Sequence, residues 1–201
     1  GVMPDARSAV TQQIKKPDSI ILLLGTPKDE CGGSAYYDVL ETLFAKQRDE
    51  LLGKNVPSPD FTQTFSELQC VQELVRSGKI LAAHDVSEGG LLLAFFEMTL
   101  PQRKRGGHIG LSIDLSAIAP ELRNDTVLFS ETGCILLEVA RDDSDAVMRM
   151  AQQHGVAISS IGTTTIDAAL TIKRGDATLI NAKLTTLRES WEHALSKAMQ
   201  E

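Results

Sequence analysis

The residues best suited to chemistry stand together at 84–90, where His84, Asp85, Val86, Ser87, Glu88, Gly89 and Gly90 follow one another. An apolar run at 80–83 leads into them, and Leu91, Leu92, Leu93, Ala94, Phe95 and Phe96 follow at once. The pattern predicts a strand that ends in a polar turn and restarts as a buried helix. Asp85, Ser87 and Glu88 are hard oxygen donors, the kind that Mg²⁺ selects. Gly89 and Gly90 let backbone approach a partner with no Cβ in the way. The start of a helix offers unpaired N–H groups and partial positive charge, which suits phosphate. The same residues also suit a plain capped helix start, with Ser87 or Asp85 as N-cap and the glycines there for packing. His84 has no partner that the sequence alone can assign, and Glu97 in the following helix reads equally as a buried functional group or an exposed last turn.

Two further segments carry polar groups at element boundaries. Asp29, Glu30, Cys31, Gly32, Gly33 and Ser34 follow an apolar run, but the segment lacks the Gly-Lys-Ser/Thr of a Walker loop. Cys31 reads either as a reactive thiol at a helix start or as a small buried residue. Ser130, Glu131 and Thr132 precede the apolar run at 134–140, where a turn is the simplest reading.

The elements that must position these groups can be read from periodicity. Residues 1–18 are polar, end at Lys15, Lys16, Pro17 and Asp18, and read as a connector; residues 19–201 read as one domain. Continuous apolar content at 19–25 predicts a buried strand, and Ser34 is placed to cap the helix that carries Tyr36, Tyr37, Val39 and Leu40. Residues 61–78 read as a helix with Phe65, Leu68, Val71, Leu74 and Val75 inward and Gly78 as its stop. Strands are predicted at 80–85, 107–115, 134–140, 156–163, 168–173 and 177–180, with the last two joined by a turn at Arg174, Gly175 and Asp176. Helices are predicted at 89–100, 142–154 and 184–199, and 116–132 is irregular or carries one short helix. The fold class is therefore α/β (α+β), a mixed sheet layered with helices.

Composition narrows the partners. The chain has 201 residues, 42% hydrophobic and 23% charged, with a formal net charge of −7. That balance argues against nucleic acid, and the short basic run of Arg103, Lys104 and Arg105 reads as a solvated loop. Cys31, Cys70 and Cys134 are odd in number and widely spaced, which argues against a zinc cluster or a disulfide framework and fits a reducing, cytoplasmic setting. No apolar run approaches the roughly 20 residues of a membrane span, and no signal peptide is expected. Gly1 ahead of Val2 suggests a piece of a longer chain.

Taken in order, GTPKDECGGSAYY (25–37), AAHDVSEGGLLLAFFEM (82–98), LFSETGCILLEV (128–139) and LTTLRESWEHAL (184–195) resemble the C-terminal domain of phosphoribosylformylglycinamidine synthase. That family belongs to the aminoimidazole ribonucleotide synthetase-like superfamily, and the HD-x-S-[DE]-GG motif is the most specific part of the likeness. The resemblance implies a domain of an ATP-dependent C–N ligase of purine biosynthesis. The ligase converts formylglycinamide ribonucleotide, with glutamine-derived ammonia and ATP, to the amidine. It implies Asp85 as a Mg²⁺ ligand, Ser87, Gly89 and Gly90 as contacts of ATP or ADP, and, by internal duplication, Ser130, Glu131 and Thr132 as substrate contacts. The chemistry of the catalytic histidine is expected in an N-terminal half, so this chain alone is expected to be inactive. Its expected partners are that half, a glutaminase domain or subunit, and a second copy of itself as a homodimer. Two positions depart from the family pattern: Gly133-Cys134 stand where short-chain members usually place an Arg, and Cys31 replaces a Leu. The alternatives are a structural and docking domain of the same enzyme with no nucleotide role, or another ATP-dependent member of the superfamily.

Overall fold

Strand β1 (Ile20–Leu24) is buried at all five positions, and its side chains divide between two cores. Ile21 and Leu23 pack into one; Ile20, Leu22 and Leu24 pack into the other. A strand covered on both faces has no polar side to show, which is why it reads as a continuous apolar run rather than an alternation. The computed structural model describes residues 5–44, 51, 53–100 and 108–199. Residues 1–4 of the predicted connector, position 107, and Arg103, Lys104 and Arg105 lie outside them.

Around β1 the strands are β2 (Ile80–Asp85), β3 (Gly110–Asp114), β4 (Ile135–Val139), β5 (Ile158–Thr165), β6 (Ala169–Arg174) and β7 (Ala177–Lys183). They form a seven-stranded sheet in the order β2-β4-β1-β5-β3-β6-β7. Only β3 and β6 run parallel; every other neighbouring pair is antiparallel, so the sheet is mixed as expected. In β3, Leu111 and Ile113 are buried while Ser112 and Asp114 face solvent, the period of two that one covered face requires.

In chain order the helices are α1 (Ala35–Phe44), α2 (Phe61–Arg76), α3 (Gly90–Met98), α4 (Asn124–Phe129), α5 (Ser144–Gln153) and α6 (Leu184–Ala198). Helices α3 and α4, with Leu184 and Leu187 of α6, cover the face that holds Ile21 and Leu23. Helices α2 and α5 cover the opposite face through Cys70, Leu74, Val147 and Ala151. The sheet thus lies between two helical layers.

Helix α2 is rotated from the expected orientation. Asp60 caps it, accepting from the N–H groups of Thr62 and Gln63 at 2.9 and 3.1 Å. Its buried residues are Glu67, Cys70 and Leu74, whereas Phe65 and Leu68 are 62% and 58% exposed. The apolar residues of α2 spread over an arc wider than its contact with the sheet. Packing the small Cys70 and the neighbouring Leu74 inward turns Phe61, Phe65 and Leu68 outward.

Residues 9–17 run beside edge strand β2. Thr11 bridges Ala82, and the Ala83 N–H donates to the Thr11 carbonyl at 3.2 Å. The Lys15 and Lys16 N–H groups donate to the buried carboxylate of Glu138 at 2.8 and 3.3 Å. This segment covers an otherwise open sheet edge.

Candidate functional site

Strand β2 ends at Asp85, and its outer rung continues as Val86 donates its N–H to the Cys134 carbonyl at 2.8 Å. Val86 is buried, but Ser87 and Glu88 turn outward. Gly89 then adopts φ +79°, and Gly90, at φ +65°, enters α3. A Cβ on Gly90 would lie 2.6 Å from the Leu128 carbonyl oxygen and 2.7 Å from Phe129 Cα, so a bare backbone is required there. The expectation of a side-chain cap is not met: Gly89 is the N-cap of α3, with no side-chain hydrogen bond. Neither Asp85 nor Ser87 is spent on the helix start, and the Asp85 side chain is 75% exposed.

The three segments singled out in the sequence meet at one place. Glu131 Oε1 accepts two backbone N–H groups, from Gly89 and from Ala35, each at 2.9 Å. One carboxylate oxygen therefore pins the glycine turn before α3 to the first turn of α1. Thr132 Oγ1 donates to Glu30 Oε2 at 3.0 Å, shares a hydrogen bond with Ser130 Oγ at 2.8 Å, and accepts from the Lys28 N–H at 3.2 Å. Glu30 Oε1 in turn accepts from the Ser58 N–H at 3.2 Å. Ser130 is 2% exposed. Ser34, as expected, sits at the start of α1, where its hydroxyl accepts from the Tyr37 N–H at 3.3 Å and donates to the Cys31 carbonyl at 2.8 Å. Tyr36 stacks on Phe129 with ring centroids 4.2 Å apart, adding an apolar clamp between the same segments.

Cys31 is buried, and desolvation pushes its thiol up to about 11. A thiol held protonated is a poor nucleophile, so the packing reading applies and the reactive one does not. Cys134 is pushed up to about 12 by the same cause.

Sequence reasoning missed the contact that organises the other side of the turn. His84 Nε2 and Glu97 Oε2 are 2.7 Å apart, and His84 Nδ1 lies 3.4 Å from Asp85 Oδ1. A tight connecting turn folds the short helix α3 back along β2, so that Glu97 in its last turn comes beside the end of the strand. A search for carboxylates one helical face beyond the turn would have paired Glu97 with His84.

The groups left open at this turn are one exposed carboxylate and one hydroxyl, which suit a hard cation, while the Gly89 N–H is held by Glu131 and the Gly90 N–H by the Ser87 carbonyl at 3.0 Å. Among the described residues, no group of three or more His, Cys, Asp or Glu side chains is placed to hold a metal ion. A separate groove of about 620 Å³ lies beyond Thr132, lined by Lys28, Glu30, Asp60, Glu67, Thr132 and Cys134 among others. Asp85 and Ser87 are not among its walls.

Residues 16–174 match the family model for the C-terminal domain of AIR synthase related proteins, and the chain belongs to that family. It is 30% identical, over its whole length, to the phosphoribosylformylglycinamidine synthase subunit PurL of Methanothrix thermoacetophila. It is 33% identical over 97% of its length to the same subunit of Thermoplasma volcanium. The chain spans 24% and 23% of the lengths of those two relatives. Among solved structures, T. maritima PurL complexed with FGAR superposes over 90% of this chain and 30% of that one, with a TM-score of 0.74 at 14% identity. The same protein complexed with ATP gives 0.70 at 13% identity, covering 90% of this chain and 27% of that one. E. coli HypE, a hydrogenase maturation protein, gives 0.58 at 18% identity over 87% and 51% of the two chains. These structural likenesses concern the fold. No helix among the described residues is long and apolar enough to cross a membrane.

Proposed function

We propose that residues 19–201 are one synthetase-like domain of an ATP-dependent C–N ligase of purine biosynthesis. In this reading the ligase converts formylglycinamide ribonucleotide to its amidine with glutamine-derived ammonia. Within it, Asp85 holds a Mg²⁺, while Ser87 and the backbone of Gly89 and Gly90 contact ATP or ADP. Support comes from the family membership and from relatives named phosphoribosylformylglycinamidine synthase subunit PurL along the whole chain. The observation that carries the site is the outward turn itself. The Asp85 side chain is 75% exposed and Ser87 is exposed beside it, at a helix start where neither side chain serves as the cap.

Bound Mg²⁺ would supply charge neutralisation along a polyphosphate, which phosphoryl transfer needs more than covalent help. The chain's own part is positional. Glu131 fixes the Gly89 N–H group and so the direction in which Asp85 and Ser87 face. The polar atoms of Ser130, Glu131 and Thr132 are engaged within the chain, which favours a positioning role over the direct substrate contact that the resemblance implies. A single carboxylate and one hydroxyl do not complete an octahedral shell. The remaining ligands come from water, from phosphate and from an N-terminal half of the same enzyme. A glutaminase domain or subunit supplies ammonia, the setting is cytoplasmic, and the chain by itself has no synthase activity; it also has the option of pairing with a second copy.

Titration calorimetry with Mg·ADP on the full-length enzyme tests this. The reading predicts that Asp85→Ala weakens binding by about 10-fold or more, the size of one lost charge-assisted contact. Unchanged nucleotide content with lower thermal stability in that variant would leave the docking-domain alternative in its place. Turnover of formylglycinamide ribonucleotide by this chain alone would overturn the expected division of labour.

A further inference from the structure

Glu138 lies in β4 with none of its surface exposed. It pairs with Ile21 of β1 on one side and with Ala82 of β2 on the other. Its carboxylate accepts from backbone that is remote in sequence: the Lys15 N–H at 2.8 Å on Oε2 and the Lys16 N–H at 3.3 Å on Oε1. A carboxylate inside a sheet is costly to bury, and a well-packed apolar side chain in its place is often as stable. What the carboxylate adds is direction, because two consecutive N–H groups must both reach it. Lys15 and Lys16 are themselves exposed. At these positions the segment 9–17 is held down by Glu138, and by the Thr164 hydroxyl that donates to the Lys16 carbonyl at 2.8 Å, rather than by apolar burial.

This strap touches both legs of the unit that carries Asp85 and Ser87. On the β2 leg, Thr11 bridges Ala82 and its carbonyl accepts from the Ala83 N–H at 3.2 Å, one residue before His84. On the α3 leg, the Ile14 N–H donates to the Met98 carbonyl at 2.9 Å, one residue beyond Glu97. His84 and Glu97 join the two legs directly at 2.7 Å. Glu131 therefore holds the unit at its turn, through the Gly89 N–H, and the strap holds it at its base.

We propose that Glu138 is a positioning residue for the nucleotide turn: it docks residues 9–17 across the base of β2 and α3, and the docked strap sets the angle between strand and helix at which Asp85 and Ser87 meet their ligand. The inference rests on the nucleotide reading of that turn and deepens it. Legs that are free to splay spend only a fraction of their time in the arrangement that binds, and affinity falls by that fraction. A strap docked beforehand removes the loss, which is preorganisation supplied from behind the site.

The test uses the full-length enzyme that contains this chain and two readouts: hydrogen exchange of the segment 9–19, and the affinity of the Asp85-dependent site for Mg·ADP by titration calorimetry. Glu138→Leu should speed exchange at positions 14–16 by about 10- to 100-fold, the size of a lost hydrogen bond to a charged group. It should weaken Mg·ADP binding by about 2- to 30-fold. Glu138→Gln, which keeps one acceptor oxygen, should fall between the parent and Glu138→Leu in both readouts. Ile14→Pro deletes the N–H that reaches Met98, leaves Glu138 in place, and should weaken Mg·ADP binding from the strap side. Val147→Ala, in the core on the opposite face of the sheet, should lower the melting temperature and move neither readout. A merely structural Glu138 would behave like Val147. Unchanged strap exchange in Glu138→Leu overturns the anchoring. Faster exchange with unchanged Mg·ADP affinity in Glu138→Leu and Ile14→Pro overturns the positioning role and leaves the nucleotide reading standing. Mg·ADP binding with no part that depends on Asp85 overturns the nucleotide reading and the positioning role together, and the exchange data tell that failure apart from a failure of the anchoring.

Discussion

The two ends of the glycine turn differ in how they use the same kinds of group. On the Glu131 side, carboxylates and hydroxyls are consumed inside the chain: Glu131 Oε1 holds two backbone N–H groups, and Thr132 Oγ1 joins Glu30, Ser130 and Lys28. On the Asp85 side, a carboxylate and a hydroxyl stand exposed, and neither is spent on capping α3, whose N-cap is Gly89. Residue type alone does not separate structural acids from binding acids; what separates them is whether their oxygens already have donors. One side should respond to substitution through stability, the other through binding.

The largest effect should come at the hinge of the comparison. Gly90→Ala places a Cβ 2.6 Å from the Leu128 carbonyl at φ +65°. Strain and overpacking together should cost roughly 3 kcal/mol, measurable as a lower denaturant midpoint. Next, Glu131→Ala removes two charge-assisted hydrogen bonds at once and should destabilise by roughly 2 kcal/mol in urea melts. In the same assay Asp85→Ala should stay within about 0.5 kcal/mol of the parent chain, as exposed positions do. Equal losses in the two variants would erase the distinction. Thr132→Val, which keeps the shape and removes the hydroxyl, should cost roughly 1 kcal/mol and leave Asp85 free to bind.

A third acid sharpens the contrast by pH. Glu138 is fully buried, and desolvation raises its carboxyl above the ordinary value of 4.5 despite the hydrogen bonds from Lys15 and Lys16. Between the ordinary and the raised value the folded chain keeps a proton that the unfolded chain has lost. This contribution is fully present below the ordinary glutamate value and is lost as pH rises through the folded one. Thermal melts of Glu138→Gln should therefore lack a decline on the neutral side of pH 4.5 that the parent chain shows. The opposite slope in the parent chain would show that the N–H donors outweigh burial.

Much of the architecture was legible because its signals are local. The unbroken apolar run of β1 reports cover on both faces, and the alternation of Leu111 and Ile113 with Ser112 and Asp114 reports cover on one. Ser34 announces a helix start by its chemistry, whereas the cap expected from Ser87 or Asp85 is Gly89 instead. The orientation of α2 was not legible, since Phe65 and Leu68 are as apolar as Leu74 and only contact with the sheet decides which of them is buried. At the site, the polar turn was evident from residue types. The Glu131 clamp and the Glu97–His84 contact were not, because each joins residues far apart in sequence whose pairing depends on how the strands and helices meet.

Thermal shift of the full-length enzyme that contains this chain and of its Asp85→Ala variant, each with and without Mg·ADP, tests the central claim most directly. A ligand that binds only the folded state raises its melting temperature. The account predicts equal starting temperatures, a rise with Mg·ADP in the unsubstituted enzyme, and a smaller rise in the variant. A variant that starts lower yet rises by the same amount would make Asp85 a structural acid and contradict the account.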